Sequence, residues 1–266
     1  MSVVMGPTHA MSGAAVGLAV AQLLPEEWGG VNTVQEAFLY AGLTAGAALL
    51  PDLDSPSATV SRSFGPFTQA LSHTVENTAQ GFVNLTKARK DPKCRNGHRT
   101  LTHTIWFALA AGAGATALIS AFGKPAVIGL LFIFLGLAIR GLFPEWSKKT
   151  DWLIVAALSA ALAYGAWYFI PASSFGLVMG SAVTVGCVTH MLGDLATKQG
   201  IPVFAPLLQF GRKRWWKLKL PNFLSITASG PADKVLLTLF TASVLVQTYL
   251  VATGDYTELM MALLNK

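Results

Sequence analysis

Charge is scarce in this 266-residue chain: Asp, Glu, Lys and Arg together make 12% of it, against 53% hydrophobic residues. That balance excludes an ordinary soluble domain and points to the bilayer. Cysteine is nearly absent too, and Cys94 and Cys187 are too few for a disulfide framework or a Cys-based zinc module. There is no collagen-like period and no low-complexity tract, which excludes fibrous and disordered classes. The sequence also lacks His-Glu-x-x-His, a Gly-x-Ser-x-Gly elbow and a phosphate-cradling Gly loop, so zincin peptidase, serine hydrolase and P-loop chemistry have no support. The net charge of +6 would suggest nucleic acid in a soluble protein. In a membrane protein it reflects the topology bias of Lys and Arg.

What is present is apolar sequence in long stretches. Seven candidate spans fall at about residues 10–24, 34–50, 101–122, 126–143, 152–170, 175–195 and 235–252. The expected fold is an all-α polytopic membrane helical bundle. The first two stretches are short and rich in Gly and Ala, which suits close helix packing inside the bundle. The first has no basic n-region and carries His9 at its start, so it reads as a retained helix and not a signal peptide. With the N-terminus placed in the cytoplasm, all but Lys124 and Lys266 of the 19 Lys and Arg lie inside, while Glu26, Glu27, Glu36, Asp255 and Glu258 lie outside. That asymmetry is strongly positive-inside.

Two of the inner connections are long. Over about residues 67–89 the apolar residues Phe67, Leu71, Val75, Ala79, Phe82 and Leu85 recur at helical spacing, which predicts an amphipathic helix on the cytoplasmic membrane surface. Residues 198–232 carry Arg212, Lys213, Arg214, Trp215, Trp216, Lys217 and Lys219. Basic residues beside paired Trp suit lipid headgroups better than nucleic acid, so membrane lipid is the expected partner and no nucleic acid is expected.

Ionisable residues at the membrane edge carry a functional expectation by default. His9 precedes the first span, Asp52 and Asp54 follow the second between Pro51 and Pro56, His98, Arg99 and His103 straddle the start of the third, and His190 and Asp194 close the sixth. Because odd spans start and even spans end on the cytoplasmic side, all four groups share one membrane face. His190 and Asp194 are four apart and project from one helical face, as two ligands of one metal or as a ligand with its orienting carboxylate. The bland alternative is a buried His to Asp hydrogen bond. Asp52 and Asp54 suit a cation loop, or else a plain helix-ending turn. His98 falls in the loop after Asn96-Gly97 and His103 on the first helical turn, with Thr100 or Thr102 as cap. Arg99 then offers a fork of donors for a phosphate or carboxylate. His9 alone would read as a capping or interfacial histidine.

Thr8-His9 before a Gly/Ala-rich helix, Pro51-Asp52-Leu53-Asp54, His98-Arg99-x-x-x-His103, and His190-x-x-x-Asp194 with Thr197, Gly200 and Pro206 resemble the YdjM-like family of bacterial inner-membrane proteins, some of them LexA-regulated. The resemblance covers about residues 8–206 with the motifs in the family's order. It implies a bacterial inner-membrane location and a metal-dependent hydrolase, and it supplies no substrate. Where such proteins often carry Thr-Gly and a nearby Glu before the last helix, this chain has Thr227-Ala228-Ser229-Gly230-Pro231-Ala232-Asp233. Asp233 could replace that acid and is not counted among the site residues.

The expectation is therefore a membrane-bound hydrolase in which Asp52, Asp54, His103, His190 and Asp194 hold one or two divalent ions, zinc or manganese before magnesium. His9, His98 and Arg99 are the expected catalytic residues, and Arg99, Thr197 and Arg214 the expected substrate contacts. A lipid phosphoester is the expected substrate. The competing readings are a proton or metal-ion transporter, which would need a second polar layer across the membrane, and a non-catalytic protein with a structural metal.

Overall fold

The computed structural model describes residues 6–21, 23–28, 31, 33–169 and 175–254. Among these the chain forms nine α-helices joined by loops and short 3-10 turns: α1 (Gly6–Ala21), α2 (Val34–Ala47), α3 (Pro66–Thr86), α4 (Ile105–Phe122), α5 (Lys124–Leu142), α6 (Pro144–Lys149), α7 (Trp152–Phe169), α8 (Phe175–Leu195) and α9 (Pro231–Thr253). No strand occurs among the described residues. The long connection after α8 makes only isolated bridges, among them Thr197 with Ile226 and Ile201 with Leu218.

Among the described residues four helices, α4, α5, α8 and α9, have the length and apolar composition to cross a bilayer, and Trp152–Tyr168 of α7 forms a shorter apolar stretch. The first two expected spans fold as helices of 16 and 14 residues. At 1.5 Å per residue these reach about 24 and 21 Å, short of a hydrocarbon core of about 30 Å. Their composition explains the place they take in the bundle. α2 lies in the middle of the bundle, packed on α1, α5 and α8, with Tyr40, Leu43, Ala45 and Ala47 fully buried. A Cβ on Gly46 would sit 2.0 Å from the Phe134 carbonyl oxygen of α5, and one on Gly13 of α1 would sit 2.8 Å from the Thr44 carbonyl oxygen. Only glycine permits such backbone approach.

Local signals set several ends. Thr33 and Glu36 form a reciprocal capping box at the start of α2. α4 starts at Ile105, later than residue 101, because Leu101–His103 form a separate 3-10 turn. Its cap is Thr104, whose hydroxyl accepts from the Phe107 N–H at 3.2 Å, and not Thr100 or Thr102. The amphipathic helix is present as α3, and of its expected membrane-facing stripe only Ala79 is buried against the protein. Thr68, Ser72, Ala79 and Val83 are buried, whereas Phe67, Leu71 and Leu85 face outward. Of the expected outer charges, Asp255, Glu258 and Lys266 lie outside the described residues, as does the expected end of the fifth span at residue 170.

A candidate metal centre at one end of the bundle

The start of α1, the turn after α2, the turn before α4 and the end of α8 meet at one end of the bundle, and their histidines and aspartates converge there. The turn Pro51–Asp54 follows α2 directly, and Pro51 suits its first position. Asp54 is fully buried and binds the segment before α4. Its carboxylate accepts from Thr102 Oγ1 at 2.5 Å and from the Arg99 N–H at 3.1 Å, and it lies 2.7 Å from His98 Nδ1. To make these contacts Arg99 adopts φ 56°, a left-handed conformation that costs a non-glycine residue roughly 1–2 kcal/mol. Asp54 therefore organises the site.

The centre itself is formed by His103, His190, Asp194 and Asp52. His190 Nδ1 donates to the Ala48 carbonyl oxygen at 2.7 Å, which leaves its Nε2 with a lone pair when the ring is neutral. His103 Nδ1 lies 2.9 Å from Thr102 Oγ1, whose own proton goes to Asp54, and 3.4 Å from Asp54 Oδ2. The same logic turns the His103 Nε2 lone pair inward once that ring is neutral. The two Nε2 atoms are 3.1 Å apart. Asp194 Oδ2 is 3.1 Å from His103 Nε2 and 3.6 Å from His190 Nε2, and Asp52 Oδ1 is 3.7 Å from His190 Nε2. Ligands at about 2.0–2.1 Å from a tetrahedral ion stand about 3.4 Å from one another. The atoms of His103, His190 and Asp194 thus have the spacing of a ligand shell, and Asp52 Oδ1 borders it on the His190 side. Asp194 Oδ2 is buried and makes no well-aligned hydrogen bond, although both imidazole Nε2 atoms stand within 3.6 Å of it. His103, His190 and Asp194 form one cluster able to hold a metal ion, and Asp52 joins two overlapping ones, with His9 and His190 and with His98 and His103.

Around this shell stand the other expected residues. The His9 ring stacks on His190 with centroids 4.0 Å apart, and its Nε2 is 3.5 Å from Asp194 Oδ1. Arg99 turns its guanidinium onto Asp194 Oδ1 at 2.5 Å, Thr197 Oγ1 at 2.8 Å and Gln199 Oε1 at 3.2 Å. Thr197 is thereby engaged by Arg99, and its hydroxyl donates to the Asp194 carbonyl oxygen at 2.6 Å. Arg214 is elsewhere: it is exposed, its backbone N–H donates to Asp91, and its guanidinium donates to the Thr86 carbonyl oxygen at the end of α3.

The charges in the turns follow from these contacts. Burial pushes Asp54 up, but His103 and His98 together outweigh it and hold the carboxyl well below the usual carboxylate range. Burial pushes His103 down, and Asp54 with Asp194 outweighs it in turn, taking the imidazole up to about 10. Burial and the Arg99 charge lower Lys217, partly offset by Asp194. Lys217 is thus a second cation near the cluster that sequence reasoning had assigned only to the basic loop.

Three further participants were missed. The Ala48 carbonyl has no signature in a sequence. Thr102 was read as a helix cap, although its place beside His103 was a usable signal. Asp233, at the start of α9, accepts from Thr8 Oγ1 at 2.6 Å and from the Ser229 N–H at 3.2 Å, so it holds the residue next to His9. A small cavity of about 20 Å³ touches Asp52 and Arg140, enough for one water.

The model of the YdjM inner membrane protein family matches residues 4–143 and 152–256 of the chain. The match runs past residue 206, where the sequence motifs end, and takes in Asp233 and α9. No curated protein and no solved structure matches.

Proposed function

The chain belongs to the YdjM inner membrane protein family, and on that premise we propose that it is a multi-pass membrane hydrolase using a divalent ion to cleave a lipid phosphoester at the cytoplasmic face. The observation that carries the reading is the convergence of the His103 and His190 Nε2 atoms and Asp194 Oδ2 at 3.1–3.6 Å from one another, with Asp52 Oδ1 3.7 Å from His190 Nε2. Mixed nitrogen and oxygen donors suit zinc or manganese better than magnesium. The concentration of Lys and Arg in the connections at this end supports the cytoplasmic orientation.

His103, His190 and Asp194, with Asp52 beside His190, would hold a divalent ion, which would supply Lewis acidity toward a phosphoryl oxygen and ease the deprotonation of a water. The side chains do the rest. Arg99, fixed by Asp194, Thr197 and Gln199, faces negative charge building on the phosphoryl oxygens. Asp54 orients His103 and His98. His9 stands beside Asp194 on the α1 side of the cluster, where it hands a proton to the leaving oxygen as the phosphorus–oxygen bond breaks. Water contributes the new phosphorus–oxygen bond, so the products are an alcohol and a phosphate. His98, the most exposed of the four cluster histidines, takes up the proton that the attacking water gives up and passes it to solvent.

Elemental analysis of the detergent-purified protein, beside a folded Asp52→Ala/His190→Ala double variant, tests the reading. The expected result is one or two equivalents of zinc or manganese in the wild type, lost in the variant together with hydrolysis of lipid phosphoesters. Substoichiometric metal after incubation with both ions would overturn it. Retained metal with no hydrolysis of any ester would make the site structural.

A further inference from the structure

A cavity of about 300 Å³ lies between α1, α8 and α9, with Thr8 and His9 in one part of its wall and Val16, Leu192, Leu236 and Phe240 among the rest. α9 packs on α1, and α1 on α8, while α8 and α9 make few contacts with each other. The space is a slot with α1 as its floor. Leu192 is 62% exposed, so the slot opens sideways from the bundle.

The chemistry of the wall selects the occupant. At about 30 Å³ for each water-sized group, the slot has room for about ten such groups. Water filling it would find few partners, because the hydroxyl protons nearby are committed. Thr8 donates to Asp233, Ser12 to the His9 carbonyl oxygen and Thr189 to the Val185 carbonyl oxygen. A hydrocarbon chain needs no partners, and in a bilayer it fills space that would otherwise forfeit dispersion contacts. From Thr8 to Val16 the floor runs about 12 Å at 1.5 Å per residue, and about ten groups over that length make one chain and not two.

The slot meets the polar cluster at His9. That ring also stacks on His190, and its Nε2 is 3.5 Å from Asp194 Oδ1. Gly193 makes the junction possible: a Cβ there would lie 2.8 Å from His9 Cε1. An amphiphile with its tail in the slot therefore has its first polar atoms at His9, beside Asp194 and Arg99.

We propose that this slot takes a single alkyl or isoprenoid chain of the lipid substrate, admitted laterally between α8 and α9, and so sets the phosphate against His9. The phosphate end rests on the hydrolase reading above; the chain end does not.

Photolabelling of the full-length protein in nanodiscs with dodecyl phosphate carrying a terminal diazirine tests the proposal, with adducts located by mass spectrometry. Adducts are expected on Val16, Leu192, Leu236 or Phe240, removed by excess dodecyl phosphate and untouched by inorganic phosphate. Val16→Trp and Leu236→Trp, on two different helices, are each expected to abolish that labelling with metal content unchanged, whereas Leu239→Trp on the outer surface of α9 leaves it intact. Unsaturable adducts spread over Val235, Leu239 and Val246, or saturable slot labelling that persists in both slot variants, would overturn the proposal. If slot labelling behaves as expected in a protein that holds no metal and cleaves no phosphoester, the slot stands and the hydrolase reading falls. If metal and hydrolysis are found but labelling avoids the slot, the slot proposal alone falls.

Discussion

Removing bound ions with a chelator and titrating metal back at several pH values sets a proton against a cation at His103. In the ion-free protein the pairing with Asp54 and Asp194 carries the imidazole from 6.5 to about 10 against the opposing effect of burial. At about 1.4 kcal/mol for each pH unit, that preference for the imidazolium is on the order of 5 kcal/mol, shared with the carboxylates that create it. The folded value lies above the unfolded one, so the stabilisation is complete below about pH 6.5 and is lost as pH rises toward 10. The ion-free protein is therefore expected to melt at a lower temperature at pH 9 than at pH 7. A metal ion needs the Nε2 lone pair, so its uptake expels that proton. Apparent affinity should then rise about tenfold for each pH unit between 7 and 9. Isothermal titration calorimetry in two buffers of different ionisation heat counts the proton, with one released per ion expected at pH 7.5. His103→Gln, where folded, should release none. A pH-independent affinity with no proton released, or an ion-free protein more stable at pH 9 than at pH 7, would refute the reasoning.

Other expectations follow from single contacts. Asp54→Asn strips the charge from a buried carboxylate with partners in His98, Arg99 and Thr102, and should cost about 3 kcal/mol or more of stability by thermal melting in detergent; an unchanged melting temperature would contradict its organising role. Gly193→Ala should keep the fold while displacing His9, whose Cε1 would lie 2.8 Å from the new Cβ, and a hydrolysis rate equal to wild type would remove His9 from the proposed chemistry. Gly46→Ala meets the Phe134 carbonyl oxygen, a backbone atom that cannot turn aside, so a loss of about 1–3 kcal/mol is expected. Cysteines introduced at Ser57 and Lys219 should react with an impermeant thiol reagent from the same side of the membrane; reaction from opposite sides would separate the site from the basic loop.

The sequence by itself determined the solvent and the ingredients. Scarce charge and long apolar stretches dictate a membrane helical protein, because a helix satisfies its own backbone in lipid while each ionisable side chain there is costly. The same scarcity made His9, Asp52, Asp54, His98, Arg99, His103, His190 and Asp194 conspicuous, and apolar periodicity placed each of them near a helix end. Tertiary structure decided what those ends do. The Gly and Ala of α1 and α2 make them the buried centre against which α5 and α8 close, a role that hydropathy alone does not separate from spanning. The tautomers of His103 and His190 depend on Thr102 and on a backbone carbonyl at Ala48, and no residue type announces a carbonyl. Arg99 faces Asp194 only because Asp54 holds its backbone in a left-handed turn. Arg214, equal to Arg99 in charge, leaves the site because Asp91 and the end of α3 claim it. Composition sets which groups cannot remain unpaired in lipid; which partners they find is a matter of where loops of no periodicity bring them, and that is settled only when the helices pack.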